Sequence, residues 1–155
     1  MSPVKAGTTV TLTRVFDAPR DLVFETWVNP VHFKAWWGPE NSENGDVRLD
    51  VRPGGEIFVQ MRGPSFDHPM GGAFITIDRP NKLVFLSKAF QNPDGSWQFV
   101  NHNTVTFEDA GTGKTKLVLT TVVQTASEVN LVPVGYMEEG WRGSLERLGA
   151  LLAKL

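Results

Sequence analysis

Apolar residues near the C-terminus recur at steps of four, four, three and four, a spacing that stacks them on one face of a helix. They are Met137, Trp141, Leu145, Leu148 and Leu152. The other face carries charged residues, namely Glu138, Glu139, Arg142, Glu146, Arg147 and Lys154. The pattern predicts a long amphipathic helix from Met137 to Leu155 with a Trp in its apolar stripe.

The same segment contains Gly140, Gly143 and Gly149. Each glycine costs a helix roughly 1 kcal/mol relative to alanine. We therefore expect tertiary packing to hold this helix, with glycines that let a partner backbone come close.

Polar and apolar residues alternate over residues 8–16, which predicts a half-buried strand with Val10, Leu12 and Phe16 inward. Arg14 falls on that apolar face. Two interpretations stay open: a buried Arg14 paired with a carboxylate, or a strand-end Arg14 whose stem carries its charge to solvent.

Two short helices are predicted next. The first runs from Asp17, which can cap it, to the Asn29-Pro30 stop. The second spans residues 31–39 and ends at Gly38-Pro39. Together they form a cover that can lie against one end of a sheet.

The rest of the chain alternates strand-like segments with turns. Residues 40–45 and 63–69 are predicted to be loops, and Ala73, Ile75 and Ile77 are expected to share one strand face. The predicted strands span residues 46–51, 56–62, 71–78, 82–90, 98–109 and 115–124.

Short connections force neighbouring strands to be antiparallel. An antiparallel sheet of about seven strands has one face to bury, and the terminal helix is the only element long enough to cover it. We predict one α+β domain over residues 1–155 in which the sheet curls around that helix. Such curling leaves space at one end, which the short helices and loops close.

Four segments resemble the activator of heat-shock protein 90 ATPase family. They are DAPRDLVFETWVNPVHFKAWWGP, GPSFDHPMGGAF, VTFEDAGTGKTKLVLT and GWRGSLERLGALL. The resemblance implies the helix-grip fold of the START-like, birch-pollen-allergen-like (SRPBCC) superfamily. That superfamily includes lipid and hormone carriers, polyketide cyclases and chaperone activators, so the resemblance implies a fold more sharply than a function.

Composition narrows the functional classes. The net charge is -2 without a block of like charges, so we expect neither nucleic-acid binding nor an anionic membrane surface. The chain has no cysteine, which excludes disulfides and thiolate sites. It shows no signal-like segment and no run of about 20 apolar residues, so we expect a cytoplasmic protein without membrane insertion.

Motifs with catalytic or metal chemistry are weak. The GTGKT stretch ends like a phosphate-binding loop, but Glu108 stands where that motif needs glycine, and the stretch lies between two strands. His32, His68 and His102 have no metal-ligand spacing, with His68 in a predicted loop. No serine lies in a nucleophile elbow. We therefore predict no cofactor, no metal and no catalytic residue.

Aromatic and amide residues suggest a pocket instead. The chain has ten Phe and five Trp but one Tyr, which suits an apolar core or an apolar cavity. Asn101 and Asn103 fall on the inward face of their strand, where they either bond neighbours and water or face a ligand. The predicted ligand-binding residues are Trp37, Met61, Phe85, Phe99, Asn101, Asn103, Met137, Trp141 and Leu145.

The sequence thus favours a module that binds a small hydrophobic or amphipathic molecule. Two alternatives remain: a protein-binding modulator of a chaperone, and a cyclase- or hydrolase-type enzyme, for which the residues offer less support. A further expectation is a weak homodimer through a sheet edge or through the short helices, because an open sheet leaves two edges to protect.

Overall fold

The computed structural model describes residues 5–39, 41–64, 66–127 and 134–155. One strand comes first, two short helices follow it, six strands then form a meander, and the long helix closes the chain. The elements are β1 (Thr9–Phe16), α1 (Arg20–Val28), α2 (Pro30–Trp36), β2 (Glu43–Leu49), β3 (Glu56–Gly63), β4 (Phe66–Asp78), β5 (Lys82–Gln91), β6 (Trp97–Asp109), β7 (Thr115–Ala126) and α3 (Val134–Leu152).

The strands form one seven-stranded antiparallel sheet in the order β1-β7-β6-β5-β4-β3-β2. β1 pairs with β7, so the end of the meander lies beside the first strand. The helix α3 packs against the buried face of this sheet. This is the predicted α+β helix-grip architecture. None of the helices among the described residues is long and apolar enough to cross a membrane.

The apolar stripe of α3 lies against the sheet as predicted. Met137, Trp141, Leu145, Leu148 and Leu152 are all buried. The helix spans Val134–Leu152. It therefore starts before the predicted Met137 and ends before the predicted Leu155.

Local details near the helices differ from the predictions. Asp17 does not cap α1: the cap position is Pro19, which offers no side-chain acceptor. Asn29 instead caps α2 by accepting the Val31 amide, which ends α1 and starts α2 at one residue. Arg14 is half-buried and donates to the Thr13 carbonyl, and it pairs with no carboxylate among the described residues. The expectation of a buried ion pair is therefore wrong, and the solvent-reaching alternative fits.

Both predicted loops are partly strand. Residues 43–45 belong to β2, and Phe66 to Pro69 belong to β4. Pro69 suggested a loop, but the β4–β5 register begins only at Gly71, so Pro69 pairs with β3 alone. A proline is tolerated where one side of a strand has no partner.

The predicted shared face of Ala73, Ile75 and Ile77 is also wrong. Phe74 is buried and Ile75 is exposed. The β4–β5 register shifts between Phe74 and Thr76, and an extra residue at such a bulge reverses which side chains face inward.

The GTGKT stretch forms the turn between β6 and β7. Gly111 and Gly113 both have positive φ angles, of 122° and 69°. Glycine adopts such angles without steric cost, so this stretch is a tight turn as the sequence predicted.

Candidate functional site

A cavity of about 810 Å³ lies between the N-terminal half of α3 and the sheet. The segment after α2 closes one side of it, and its inner walls come from β3 to β6. The residues that line it are Trp37, Gly38, Pro39, Met61, Phe66, His68, Met70, Ser87, Lys88, Ala89, Phe90, Phe99, Asn101, Met137, Glu139, Gly140, Trp141, Arg142, Gly143, Ser144 and Glu146.

Small residues on β5 make room for this cavity. Side chains alternate across a strand, so Ser87 and Ala89 point to the same face as the buried Phe85. Where Phe85 fills the interior, Ser87 and Ala89 leave space below α3. The volume therefore follows from a change of side-chain size along one strand.

Six of the nine predicted ligand-binding residues line the cavity. They are Trp37, Met61, Phe99, Asn101, Met137 and Trp141. The other three do not line it but lie buried beside it: Phe85, Asn103 and Leu145. Phe85 packs against Trp37, with ring centroids 6.2 Å apart. The sequence therefore located part of the cavity wall and assigned three neighbouring core residues to it.

Several lining residues were missed by the sequence interpretation. Phe66 and His68 come from the part of β4 that was predicted to be a loop, and Met70 lies between that loop and the predicted strand. Their spacing of two residues is the signal of a strand face and was available in the sequence. Ser87 and Ala89 lie in a strand whose sequence is almost continuously apolar, so the pattern gave no signal that these two positions line a cavity.

Two perpendicular tryptophans form a corner of the cavity. The rings of Trp37 and Trp141 are 5.2 Å apart at 90°. Phe33 stacks behind Trp37 at 4.8 Å, and Trp27 stacks behind Trp141 at 6.4 Å. Because each lining ring has another ring packed behind it, the aromatic wall is held in place.

Methionines form another part of the wall. Met61, Met70 and Met137 all line the cavity. A thioether side chain is unbranched and polarisable, so it adapts to apolar surfaces of different shape. The wall thus combines fixed rings with adjustable side chains.

Polar contacts from α3 hold the segment that follows α2. Ser144 Oγ donates to the Gly38 carbonyl at 2.9 Å and accepts the Gly38 amide at 3.1 Å. Arg147 Nη1 donates to the carbonyls of Trp37 at 3.1 Å and Pro39 at 3.1 Å. We call these contacts of Ser144 and Arg147 with residues 37–39 the clamp.

The clamp corrects the sequence interpretation of Arg147, which placed it on the solvated face of the helix. Burial lowers the pKa of the Arg147 guanidinium below its usual value. An arginine pKa lies so far above neutrality that the group stays charged, and backbone carbonyl dipoles replace the water it has lost.

A polar patch interrupts the apolar inner wall. Asn101 on β6 and Ser87 on β5 lie directly opposite each other in the sheet register. Asn101 is 7% exposed, and its Oδ1 has no hydrogen-bond partner in the described part of the chain. Asn103 Nδ2 donates to Ser87 Oγ at 2.9 Å. We call Ser87 and Asn101 the inner polar pair.

Charged residues near the cavity carry both signs. Glu139, Arg142 and Glu146 lie on exposed positions of α3, and Arg142 pairs with Glu138 at 2.6 Å. Lys88 follows Ser87 in β5. These charges do not give the cavity a strong potential of one sign.

The described residues give little support for a metal site or a hydrolytic centre. Within the described ranges, no group of three or more His, Asp or Glu side chains could hold a metal ion. His68 lines the cavity, and its Nδ1 is buried without a partner in those same ranges. The arrangement fits binding through apolar contact and a few hydrogen bonds.

Comparisons with known proteins agree with the architecture. A family model described as Activator of Hsp90 ATPase homolog 1-like protein matches residues 17–153. No curated protein matches the chain.

Solved structures show the same fold. A solution structure from Arthrobacter aurescens has a TM-score of 0.83 at 24% identity, covering 99% of this chain and 92% of that one. A crystal structure from Chromobacterium violaceum has a TM-score of 0.77 at 20% identity, covering 93% of this chain and 96% of that one. A protein of Mycobacterium smegmatis reaches 0.71 at 23% identity, covering 93% and 90%. At these identities the likeness shows the fold alone.

Proposed function

The chain belongs to the Activator of Hsp90 ATPase homolog 1-like family, and on that basis we propose that it binds a small hydrophobic or amphipathic molecule between its sheet and α3. The observation that carries this proposal is the cavity of about 810 Å³ with an aromatic and methionine wall. Pockets for small molecules typically combine such a wall with a few placed polar groups.

The apolar wall supplies the driving force. A ligand that buries about 200 Å² of apolar surface gains roughly 5 kcal/mol at about 25 cal/mol per Å². Association consumes part of that gain, so binding also depends on a preformed site. The stacked rings behind Trp37 and Trp141 and the clamp on residues 37–39 support such preformation.

Gly140 offers a direct way to test the site. Among the described residues, a Cβ atom built there would meet no atom within 4 Å beyond its own helix backbone, although Gly140 lines the cavity. In Gly140→Phe the ring is expected to occupy cavity space. In Gly140→Ala the cavity stays open, and the loss of a helical glycine is expected to raise stability by up to about 1 kcal/mol.

The measurement is fluorescence titration with the apolar dye N-phenyl-naphthylamine, followed by thermal-shift screening of lipids and aromatic metabolites. We expect the wild type and Gly140→Ala to bind the dye, and Gly140→Phe to bind at least tenfold more weakly while folding as stably. Equal binding by both variants would mean that the dye sits elsewhere, and no binding by any of them would reject the proposal.

A chaperone-directed role is the second candidate, because the family description names ATPase activation. The exposed large apolar side chains among the described residues are Val15, Val31, Ile75 and Leu155, which lie on separate segments. Single apolar residues of this kind are normal on a protein surface. The cavity therefore supports the ligand-binding proposal more strongly than the surface supports a chaperone site.

A further inference from the structure

We propose that the ligand of this cavity is an uncharged ring compound bearing a hydroxyl group, and that the hydroxyl binds between Ser87 and Asn101. This inference rests on the proposed function and deepens it. It follows from the hydrogen-bonding state of the inner polar pair, from the charges around it and from the shape of the aromatic corner.

The inner polar pair is positioned to meet one ligand atom. Residues directly opposite each other in antiparallel strands have Cβ atoms about 5 Å apart. Ser87 and Asn101 are such a pair, and both line the cavity. A group held between them is therefore within reach of both side chains.

The free hydrogen-bonding capacity of the pair matches a hydroxyl. Ser87 Oγ already accepts from Asn103 Nδ2, so its own proton remains to be donated. The Asn101 Oδ1 atom is a buried acceptor without a partner in the described part of the chain. A ligand hydroxyl can accept from Ser87 and donate to Asn101 at the same time, which neither a carboxylate nor an ammonium group can do.

Asn103 acts behind this contact. It is fully buried, does not line the cavity, and reaches the ligand only through Ser87. Its donated hydrogen bond occupies one lone pair of the serine oxygen and so leaves the serine proton for another acceptor. Asn103 is thus a positioning residue for Ser87.

The charges near the cavity argue against an ionic ligand. Lys88 and Arg142 line the cavity, but so do Glu139 and Glu146, so the two cations are matched by two carboxylates. Arg142 is already paired with Glu138, and both Glu139 and Glu146 are exposed. Neither Ser87 nor Asn101 has a hydrogen bond to a Lys or Arg side chain among the described residues, so a carboxylate held between them would be buried without a cation at the pair itself, which is costly.

The aromatic corner favours a ring. Trp37 and Trp141 meet at 90°, so a flat ligand can stack on one ring while its edge meets the face of the other. Both edge-to-face and offset-stacked contacts are favourable for aromatic groups. Methionine and phenylalanine side chains form the rest of the apolar wall.

Three probes that share one ring system test this inference: naphthalene, naphthol and naphthoate, each titrated near neutral pH with tryptophan fluorescence as the signal. Naphthol is uncharged there, and naphthoate is an anion. For the wild type we expect naphthol to bind about tenfold more tightly than naphthalene, the value of one hydrogen-bonded polar contact in a buried site. Naphthoate is expected to bind more weakly than naphthol.

Variants then locate the hydroxyl. Asn101→Leu is expected to reduce the preference for naphthol over naphthalene to less than about threefold and to leave naphthalene binding intact. Ser87→Ala is expected to reduce the preference by about threefold. Thr121→Val is the control: Thr121 is buried in β7 with an unpartnered Oγ1 among the described residues, but it does not line the cavity.

The outcomes separate this inference from the proposed function. A preference for naphthol that is lost in Asn101→Leu and kept in Thr121→Val supports it. Equal affinities for naphthol and naphthalene, a preference that survives Asn101→Leu, or tightest binding of naphthoate overturns it while leaving the cavity a binding site. If none of the three probes binds although the dye does, this inference fails and the proposed function stands; if neither the probes nor the dye binds, both fail.

Discussion

Gly140 and Gly149 lie on the same helix and have different surroundings. A Cβ atom at Gly149 would lie 3.4 Å from Cε1 of Phe16, in ordinary contact with a packed core. A Cβ atom at Gly140 would meet no atom of the described part of the chain within 4 Å beyond the helix backbone itself. One end of α3 therefore rests on a solid interior, and the other end covers a cavity.

The apolar stripe of α3 does not explain this difference, because it is continuous through both halves. The elements that face the helix explain it. Toward the C-terminal half of the helix, the interior is filled by large side chains such as Phe16, which is buried and lies against Gly149. Toward the N-terminal half, β5 presents Ser87 and Ala89. An amphipathic helix can thus stabilise a fold with one half and leave the other half available for binding.

Truncating side chains in the two halves should give the largest contrast in stability. Leu148→Ala removes a fully buried side chain from the packed half, and we expect a loss of about 2–5 kcal/mol in the free energy of unfolding. Met137→Ala in the other half enlarges a space that already exists. Because no new cavity forms, only the cost of removing buried apolar atoms remains, and we expect a loss of about 1 kcal/mol in the free energy of unfolding.

Urea unfolding of both variants measures this contrast. Similar losses in the two halves would mean that the cavity end is packed as tightly as the core. That result would remove the basis of the comparison.

Breaking the clamp should have a smaller effect that reaches the cavity wall. Arg147→Met keeps an unbranched side chain but removes the charged donor from the carbonyls of residues 37–39, which keep only their neutral donors from Asn44, Ser144 and Ser42. We expect a loss of about 1–3 kcal/mol in unfolding free energy, together with weaker dye binding, because Trp37 loses its support.

Arg142→Met is the matched control on the same helix. Among the described residues, the one ion pair of Arg142 is an exposed pair with Glu138, and such pairs contribute about 0.5 kcal/mol or less. An effect of Arg147→Met no larger than that of Arg142→Met, with dye binding unchanged, would show that the clamp does not hold the wall.

Much of the fold was predictable because its signals are periodic. The stripe from Met137 to Leu152 and the inward face of β6, with Asn101 and Asn103 on it, follow from spacing alone. The predictions failed where a local feature overrode the period. A bulge near Ile75 reversed one face of β4, and Pro69 suggested a loop although a strand with one free side accepts a proline.

The candidate site was harder to predict because residue spacing indicates which face of a strand or helix a side chain lies on, but not whether that side chain reaches the cavity. Asn101 and Asn103 have the same periodicity, yet only Asn101 lines the cavity. Arg147 looked like one more charge on a solvated helix face, and its role depends on residues 37–39, which are distant in sequence. Such contacts appear only when the sheet closes on the helix.

The methionines provide the most direct test of the central claim, that the N-terminal half of α3 covers a ligand-binding cavity. Met61, Met70 and Met137 line the cavity from three different elements, and Leu148 in the packed half serves as an internal reference. The measurement is a methyl NMR titration of protein labelled at methionine and leucine methyl groups, with naphthol as the ligand. We predict that ring currents shift all three methionine signals together and leave Leu148 in place. Unmoved methionine signals at saturating naphthol, or equal shifts at Leu148, would contradict the account.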